Sequence, residues 1–323
     1  MACSFIPKHG VNGFRIPKRN PSSLQMMFLL FSPPVLAPDL DKGVRAYKDG
    51  DYAAALAEFR PLAEQGDADA QNNLGQMYAH GLGGSRNYGK ALKWYRLAAE
   101  QENKWAMYNL GVMYKNGRGV SRNYGEALKW YRLAAERGNV DAQYSIGVMH
   151  YDGQGVPHNN AKAVRWFRRA AKQGHTEAQF SLGVLYGKGK GAPLNYDVAL
   201  KWYRLAASQG NAKAQFNLGF MYEKGKGVQQ DYDEAVRWYR RAAEKGNAHA
   251  QYSLGVMYKN GKGVPQDYVR AHVWGNLART QWGKKVDALI KSLETQMSHH
   301  QIETAYFLAL KCVALEYKDC DKL

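Results

Sequence analysis

Three cysteines, ten prolines and no long apolar run set the first limits on this chain of 323 residues. Cys3, Cys312 and Cys320 are too few to staple a small loop-rich scaffold. No stretch reaches the ~18 consecutive apolar residues of a membrane-spanning helix. Ordinary glycine and proline contents, with 12% aromatic residues, exclude collagen-like, mucin-like and largely disordered chains. Motifs that carry chemistry are also scarce. No serine is followed by lysine three residues on, which removes the S-x-x-K nucleophile. Gly189-Lys190-Gly191 has neither the strand–loop–helix context nor the Lys-Ser/Thr ending of a phosphate loop. The nine histidines are scattered, His299-His300 reads as a solvated pair, and no Cys/His cluster has zinc spacing. No catalytic residue, metal ligand or cofactor site emerges, so the chain reads as non-enzymatic.

Acidic residues are missing from 1–37, which carry Lys8, Arg15, Lys18 and Arg19 and then an apolar run from Leu24 to Phe31. The run ends in Val35-Leu36-Ala37, a small-residue pattern of the kind signal peptidase reads. Together these features resemble a secretory signal peptide and predict a periplasmic or secreted bacterial protein. A disordered leader, or a start at Met26 or Met27, is the alternative and would leave the protein cytoplasmic. Pro33-Pro34 and Pro38 depart from the signal pattern. The four positive charges of this segment leave +13 of the formal +17 on the rest.

What is abundant is repetition. From residue 67 the chain repeats every 36 residues: Leu74-Gly75 returns as Leu110-Gly111, Ile146-Gly147, Leu182-Gly183, Leu218-Gly219 and Leu254-Gly255. Trp94 returns as Trp130, Trp166, Trp202, Trp238 and Trp274. Six uninterrupted copies fill 67–282 (67–102, 103–138, 139–174, 175–210, 211–246 and 247–282), and 39–66 is a degenerate first hairpin. A strict period of this length marks a solenoid, whose units bury their apolar faces against their neighbours. In 211–246, Asn211 can cap a first helix with Ala214, Leu218, Met221 and Tyr222 on one side. Gly225 and Gly227 end it, Asp231 caps a second helix carrying Ala235, Trp238, Tyr239, Ala242 and Ala243, and Gly246 stops that one. Trp166 and Trp202 are expected to be buried between hairpins.

The pattern A-x-x-x-L-G-x-x-Y, G-x-G-V, D/N-Y-x-x-A-x-x-W-Y-x-x-A-A-x-x-G resembles the Sel1-like repeat family, relatives of tetratricopeptide repeats. In 211–246 it is carried by Ala214, Leu218, Gly219, Tyr222, Gly225, Gly227, Val228, Asp231, Tyr232, Ala235, Trp238, Tyr239, Ala242, Ala243 and Gly246. The resemblance implies an all-α, right-handed α/α superhelical solenoid of helix hairpins with a concave, partner-binding inner face. The final copy departs from the pattern, with Trp274-Gly275-Asn276 and with Trp282 in place of the closing glycine. C-terminal capping helices are expected in 283–323. One carries Val286, Leu289, Ile290 and Leu293; another starts at a Ser298/Gln301 capping box and places Ile302, Tyr306, Ala309 and Val313 at helical spacing. The tail around Met297–Ile302 and Cys312–Cys320 resembles the C-terminal cap of exported bacterial members. Cys312 and Cys320 are either a disulfide that ties tail to cap in an oxidising compartment or two free thiols.

Two surfaces are candidates for a partner. With the unit's fourth residue as zero and 100° per residue, the sixth lies near ~200°, away from the side facing the second helix. That column is aromatic in Tyr108, Tyr144, Phe180, Phe216 and Tyr252, and Trp105 and Phe220 extend the same face. These seven are the candidate partner-binding residues of a concave groove, with packing against the neighbouring unit as the alternative. The third column varies as Asp69, Trp105, Asp141, Glu177, Lys213 and His249, where a binding preference could be written. The second helices carry a basic outer ridge: Lys93/Arg96, Lys129/Arg132, Arg165/Arg168/Arg169, Lys201/Arg204 and Arg237/Arg240/Arg241. Their long stems can cover tryptophan faces, or their charge can attract an acidic partner. The expected function is a protein-interaction scaffold with a protein or peptide partner. The alternative is an envelope protein that holds an anionic glycan such as peptidoglycan. Nucleic acid is not the expected partner, because no known reading module is present.

Overall fold

The computed structural model describes residues 37–318 and Cys320. Of the expected leader only Ala37 is among them; the rest lies outside the described residues. All the regular structure among these residues is helical. The chain forms two compact units, one of residues up to Ile146 with Gln154–Val156, the other of Gly147–Gly153 and Pro157 onward. The first unit contains α1 (Leu40–Lys48), α2 (Tyr52–Glu64), α3 (Ala68–His80), α4 (Tyr88–Glu100), α5 (Lys104–Asn116), α6 (Tyr124–Glu136) and the start of α7 (Val140–Asp152). The second holds the end of α7, then α8 (Asn160–Lys172), α9 (Thr176–Gly187), α10 (Tyr196–Ser208), α11 (Ala212–Lys224) and α12 (Tyr232–Ala243). It closes with α13 (Ala248–Asn260), α14 (Tyr268–Trp282), a 3-10 turn Gly283–Val286, α15 (Asp287–Glu294) and α16 (His299–Ala314).

Each helix starts and stops where its local chemistry directs. At α11 the Asn211 side chain accepts from the Ala214 N–H at 2.9 Å, and Gly225 ends the helix in the left-handed region at φ +63°. At α12 the Asp231 carboxylate accepts from the Glu234 N–H at 2.9 Å. Hairpins then form pairwise: α3 on α4, α5 on α6, α9 on α10, α11 on α12, α13 on α14. Within each unit the second helix of one hairpin packs on the first helix of the next, as α4 on α5 and α10 on α11. The Leu-Gly pair explains the close approach. A Cβ on Gly111 would lie 2.5 Å from the Tyr131 ring, so the glycine leaves a slot that the ring fills.

This slot corrects the expectation for the tryptophans. In the first five repeats the buried rings are the residues that follow them, Tyr95, Tyr131, Phe167, Tyr203 and Tyr239, whereas Trp274 of the sixth, followed by Gly275, is itself buried. Trp166 and Trp202 are only half-buried. They sit one residue further round the helix, beside the slot rather than over it. Trp94 and Trp238 pack at the edge of the cores that join α2 to α3 and α10 to α11. Arg169 and Arg241 stack over the Trp166 and Trp238 rings, each at 4.7 Å from the centroid.

Two recurring polar bonds join successive repeats, and neither was expected from the sequence. Buried Gln71, Gln179, Gln215 and Gln251 donate their side-chain amides to the carbonyls of Ala63, Ala171, Ala207 and Ala243 at 3.1–3.2 Å. On the opposite edge, Arg96, Arg204 and Arg240 donate to the hydroxyls of Tyr114, Tyr222 and Tyr258 at 2.9–3.2 Å, and Arg168 donates to Tyr186 in the same way.

Beyond α14 the period lapses and the fold closes on itself. Val286, Leu289, Ile290 and Leu293 are buried in one cluster with Trp274. Ser298 and Gln301 form the reciprocal capping box at the start of α16. That helix faces inward through Ala305, Ala309 and Cys312, while Tyr306 and Val313 are exposed. This departs from the expected inward face: small residues let α16 lie close on α14, and the larger side chains turn outward. Cys312 and Cys320 lie in disulfide register, Cα atoms 5.2 Å apart, with both residues buried.

Candidate interaction surface

The sixth-column aromatics are placed by the first helix of each hairpin. Tyr108 stands on α5, whose start is fixed by Asn103 accepting from the Trp105 and Ala106 N–H groups at 3.1 and 3.0 Å. Its ring lies 5.6 Å from that of Tyr131 on the second helix of its own hairpin. Phe180 and Phe216 lie 6.1 and 5.6 Å from Tyr203 and Tyr239 in the same way. The column therefore does not turn its back on its hairpin partner, as simple helical geometry suggests. The glycine slot lets the second-helix ring reach through and meet it.

The other side of the column meets the next repeat. Phe216 lies 5.3 Å from His249 of the next repeat, whereas Tyr252, in the last repeat, lies 5.8 Å from Trp282 at the end of its own. Burial pushes the Tyr108 hydroxyl up to about 12; the Asp141 and Tyr144 charges add to the rise, and a hydrogen bond with Ser145 opposes it. Tyr108, Tyr144, Phe180, Phe216, Tyr252 and Trp105 are all half-buried, each sharing its surface between packing and solvent. Phe220 is the exposed member, 36% accessible, with the Lys226 ammonium 5.1 Å from its ring.

The variable third column is also drawn into the scaffold. Asn103 donates its side-chain amide to Asp69 at 2.8 Å, and Asn211 donates to Glu177 at 2.9 Å. These bonds run from one helix cap to the repeat before it. Histidine and aromatic rings replace them near the end, where His249 and Trp282 meet edge to face at 4.3 Å.

The ridge divides into two kinds of cation. One arginine of a repeat is held by the next repeat's tyrosine, and in α8 and α12 another lies on a tryptophan face. Arg165 and Lys201 remain exposed. A second basic edge was not singled out from sequence. In the first unit Arg86 and Arg118 flank the Tyr88 ring at 5.4 and 6.0 Å, and Arg122 lies 5.6 Å from Tyr124. The twin pentapeptides Ser85–Gly89 and Ser121–Gly125, identical in sequence, were the signal that could have found it.

Sites for chemistry are sparse among the described residues. No group of three His, Cys, Asp or Glu is placed to hold a metal ion. A cavity of about 170 Å³ beside α14 is lined by Asp267, Arg270, Val273, Trp274, Leu308 and Cys320 among others, and its two charged groups pair at 3.0 Å. No helix among the described residues is long and apolar enough to cross a membrane.

Comparison with known proteins gives a consistent picture. The family profile described as Sel1 repeat matches residues 68–103, 106–139, 140–175, 176–211, 212–247 and 248–281. The solved structure of a Sel1 repeat protein from Oxalobacter formigenes is 35% identical, covers 75% of this chain and 99% of its own, and superposes with a TM-score of 0.69. A protective antigen present in uropathogenic Escherichia coli strains, displaying an SLR fold, is 30% identical over 88% of this chain and 78% of its own, with a TM-score of 0.38. An immunity protein from Pseudomonas aeruginosa is 25% identical over 70% of this chain and 81% of its own, with a TM-score of 0.40. None of the curated proteins matches the chain.

Proposed function

Because the chain belongs to the Sel1 repeat family, we propose that it is a non-enzymatic interaction scaffold, exported by a bacterium, that holds a protein or peptide on its half-buried aromatic face. The observation that carries this reading is the run of Phe180, Phe216 and Tyr252 in the second unit, with Phe220 beside it. Those rings pack against neighbouring aromatics and keep only part of their surface in solvent, Phe220 excepted. Rigid, partly desolvated aromatic rings are the usual anchors of protein interfaces, where one truncation costs about 2 kcal/mol or more.

A second reading is favoured by cations that no carboxylate among the described residues engages. Arg86, Arg118 and Arg122 offer a preorganised edge for an anionic envelope polymer, with Arg165 and Lys201 as the ridge contribution. Paired variants separate the two. Phe180→Ala/Phe220→Ala is expected to weaken capture of protein partners from envelope extract at low and high salt alike, with the helical signal unchanged. Arg165→Glu/Lys201→Glu is expected to slow association mainly at low salt, since exposed charges are screened beyond about 8 Å at physiological ionic strength. Loss of purified peptidoglycan binding in the charge variant, with the aromatic variant unaffected, overturns the scaffold reading in favour of the polymer.

A further inference from the structure

The two most exposed large apolar side chains among the described residues are neighbours on α16: Leu310 is 72% accessible and Phe307 66%. Tyr306, Val313 and Leu315 beside them are also exposed, whereas Leu133, Tyr151 and Leu194 stand singly elsewhere. On α16 the inward side is taken by Ala305, Ala309 and Cys312. Glu303, Phe307, Leu310 and Ala314 follow one another at i, i+4, i+7 and i+11, within about 60° of each other around the helix. That spacing is the seam of a helix pair.

Charge on this seam is ordered. Glu303 lies in its N-terminal half, and Lys311 flanks its C-terminal half. Among the described residues Glu303 has only the exposed His299 as a partner, at 3.3 Å, and Lys311 has no carboxylate partner. A parallel pair of such helices would set Glu303 against Glu303 and Lys311 against Lys311. An antiparallel pair sets each Glu303 toward the other copy's Lys311, with Phe307 and Leu310 at the centre. The seam is thus complementary to itself under a two-fold axis, which is what an isologous contact requires.

We propose that this face of α16 is the interface with a second copy of the chain, the two α16 helices packing antiparallel. One pair of four-turn helices sits at or below the roughly 1,200 Å² lower bound of standard interfaces, so the dimer is reversible and depends on concentration. None of the proposed partner-binding residues lies on α16.

Sedimentation velocity of the full chain over a wide concentration range tests the proposal. The mass is expected to rise from one chain to two, and Leu310→Glu is expected to hold it at one with an unchanged helical spectrum. Glu303→Lys and Lys311→Glu are each expected to weaken the dimer roughly tenfold, and the double swap E303K/K311E to recover most of it. A chain that stays monomeric throughout overturns the proposal. So does a dimer indifferent to Leu310→Glu, or a double swap no tighter than the single ones. The first outcome would assign the face to another protein instead of a second copy, and the last would leave a dimer that is not built on the antiparallel Glu303–Lys311 pairing.

Discussion

His272 occupies the place that Leu92, Leu128, Val164, Leu200 and Val236 hold in the earlier repeats, and it is fully buried. Its ring meets Asn276 at 2.9 Å, Glu294 at 3.4 Å and the Tyr306 ring edge to face at 5.0 Å, joining α14 to both capping helices. Burial holds it below the ordinary histidine range; the Glu294 hydrogen bond and charge oppose this, and Arg279 reinforces it. A histidine neutral in the fold yet free to protonate when unfolded favours the unfolded chain once pH drops below about 6.5. Its stabilising effect is therefore intact above that pH and is lost as pH falls toward the depressed native value. The melting temperature is expected to fall between about pH 7 and pH 5, and His272→Leu is expected to shrink that fall. His249, also held low by burial and by Lys285, leaves a residual slope. An unchanged pH dependence in the variant would remove His272 as its source.

Helix hairpins are built from steric fit, but their order along each unit is reinforced by polar clasps. A buried glutamine from one hairpin donates to a carbonyl of the hairpin before it, which also accepts a backbone N–H at its own helix end, so a mismatched neighbour would leave the buried amide without this acceptor. Gln179→Leu is expected to cost about 0.5–1.5 kcal/mol, the net worth of the lost bond, because the Ala171 carbonyl keeps the Gly174 N–H. Met107 stands in the same column without the bond, so Met107→Gln is expected to shift the urea midpoint upward. Equal midpoints for wild type and Gln179→Leu would reduce the clasp to a bystander. The arginine–tyrosine bonds lie on an exposed edge and contribute less, which is why the glutamines are the better probe.

For the chain as a whole, compartment and C-terminal closure stand together. On the proposed export, loss of the leader would remove Cys3 and leave Cys312 and Cys320, whose Cα atoms lie 5.2 Å apart, as an even pair. Envelope fractions are expected to contain a chain beginning near Pro38, and thiol reagent without reductant is expected to leave both cysteines unmodified. Reduction should then loosen the tail more than the repeats, because a bridge of this kind fixes only the short loop it closes. Cytosolic protein that retains its leader and labels at both cysteines would end the export reading.

The repeat period, the glycine stops, the Asn and Asp caps and the Leu-Gly signature determined by themselves that this chain builds helix hairpins of the Sel1 type. Those signals are local, each acting within one helical turn or one loop, so a linear reading recovers them. Which aromatic ring fills the core was decided only by the tertiary structure. The slot above Gly111 or Gly183 exists once two helices approach, and it selects Tyr131 and Tyr203 over the tryptophans beside them. The same approach turned the Tyr108 column back toward its own hairpin and left it half open, a result that angles on an isolated helix cannot give. The glutamine and arginine clasps span roughly one repeat or less in sequence, yet they need the stacked geometry before donor and acceptor meet. The outward face of α16 follows the same logic. Periodicity supplied an amphipathic helix, but the close packing of Ala305, Ala309 and Cys312 decided which side of it stayed in water.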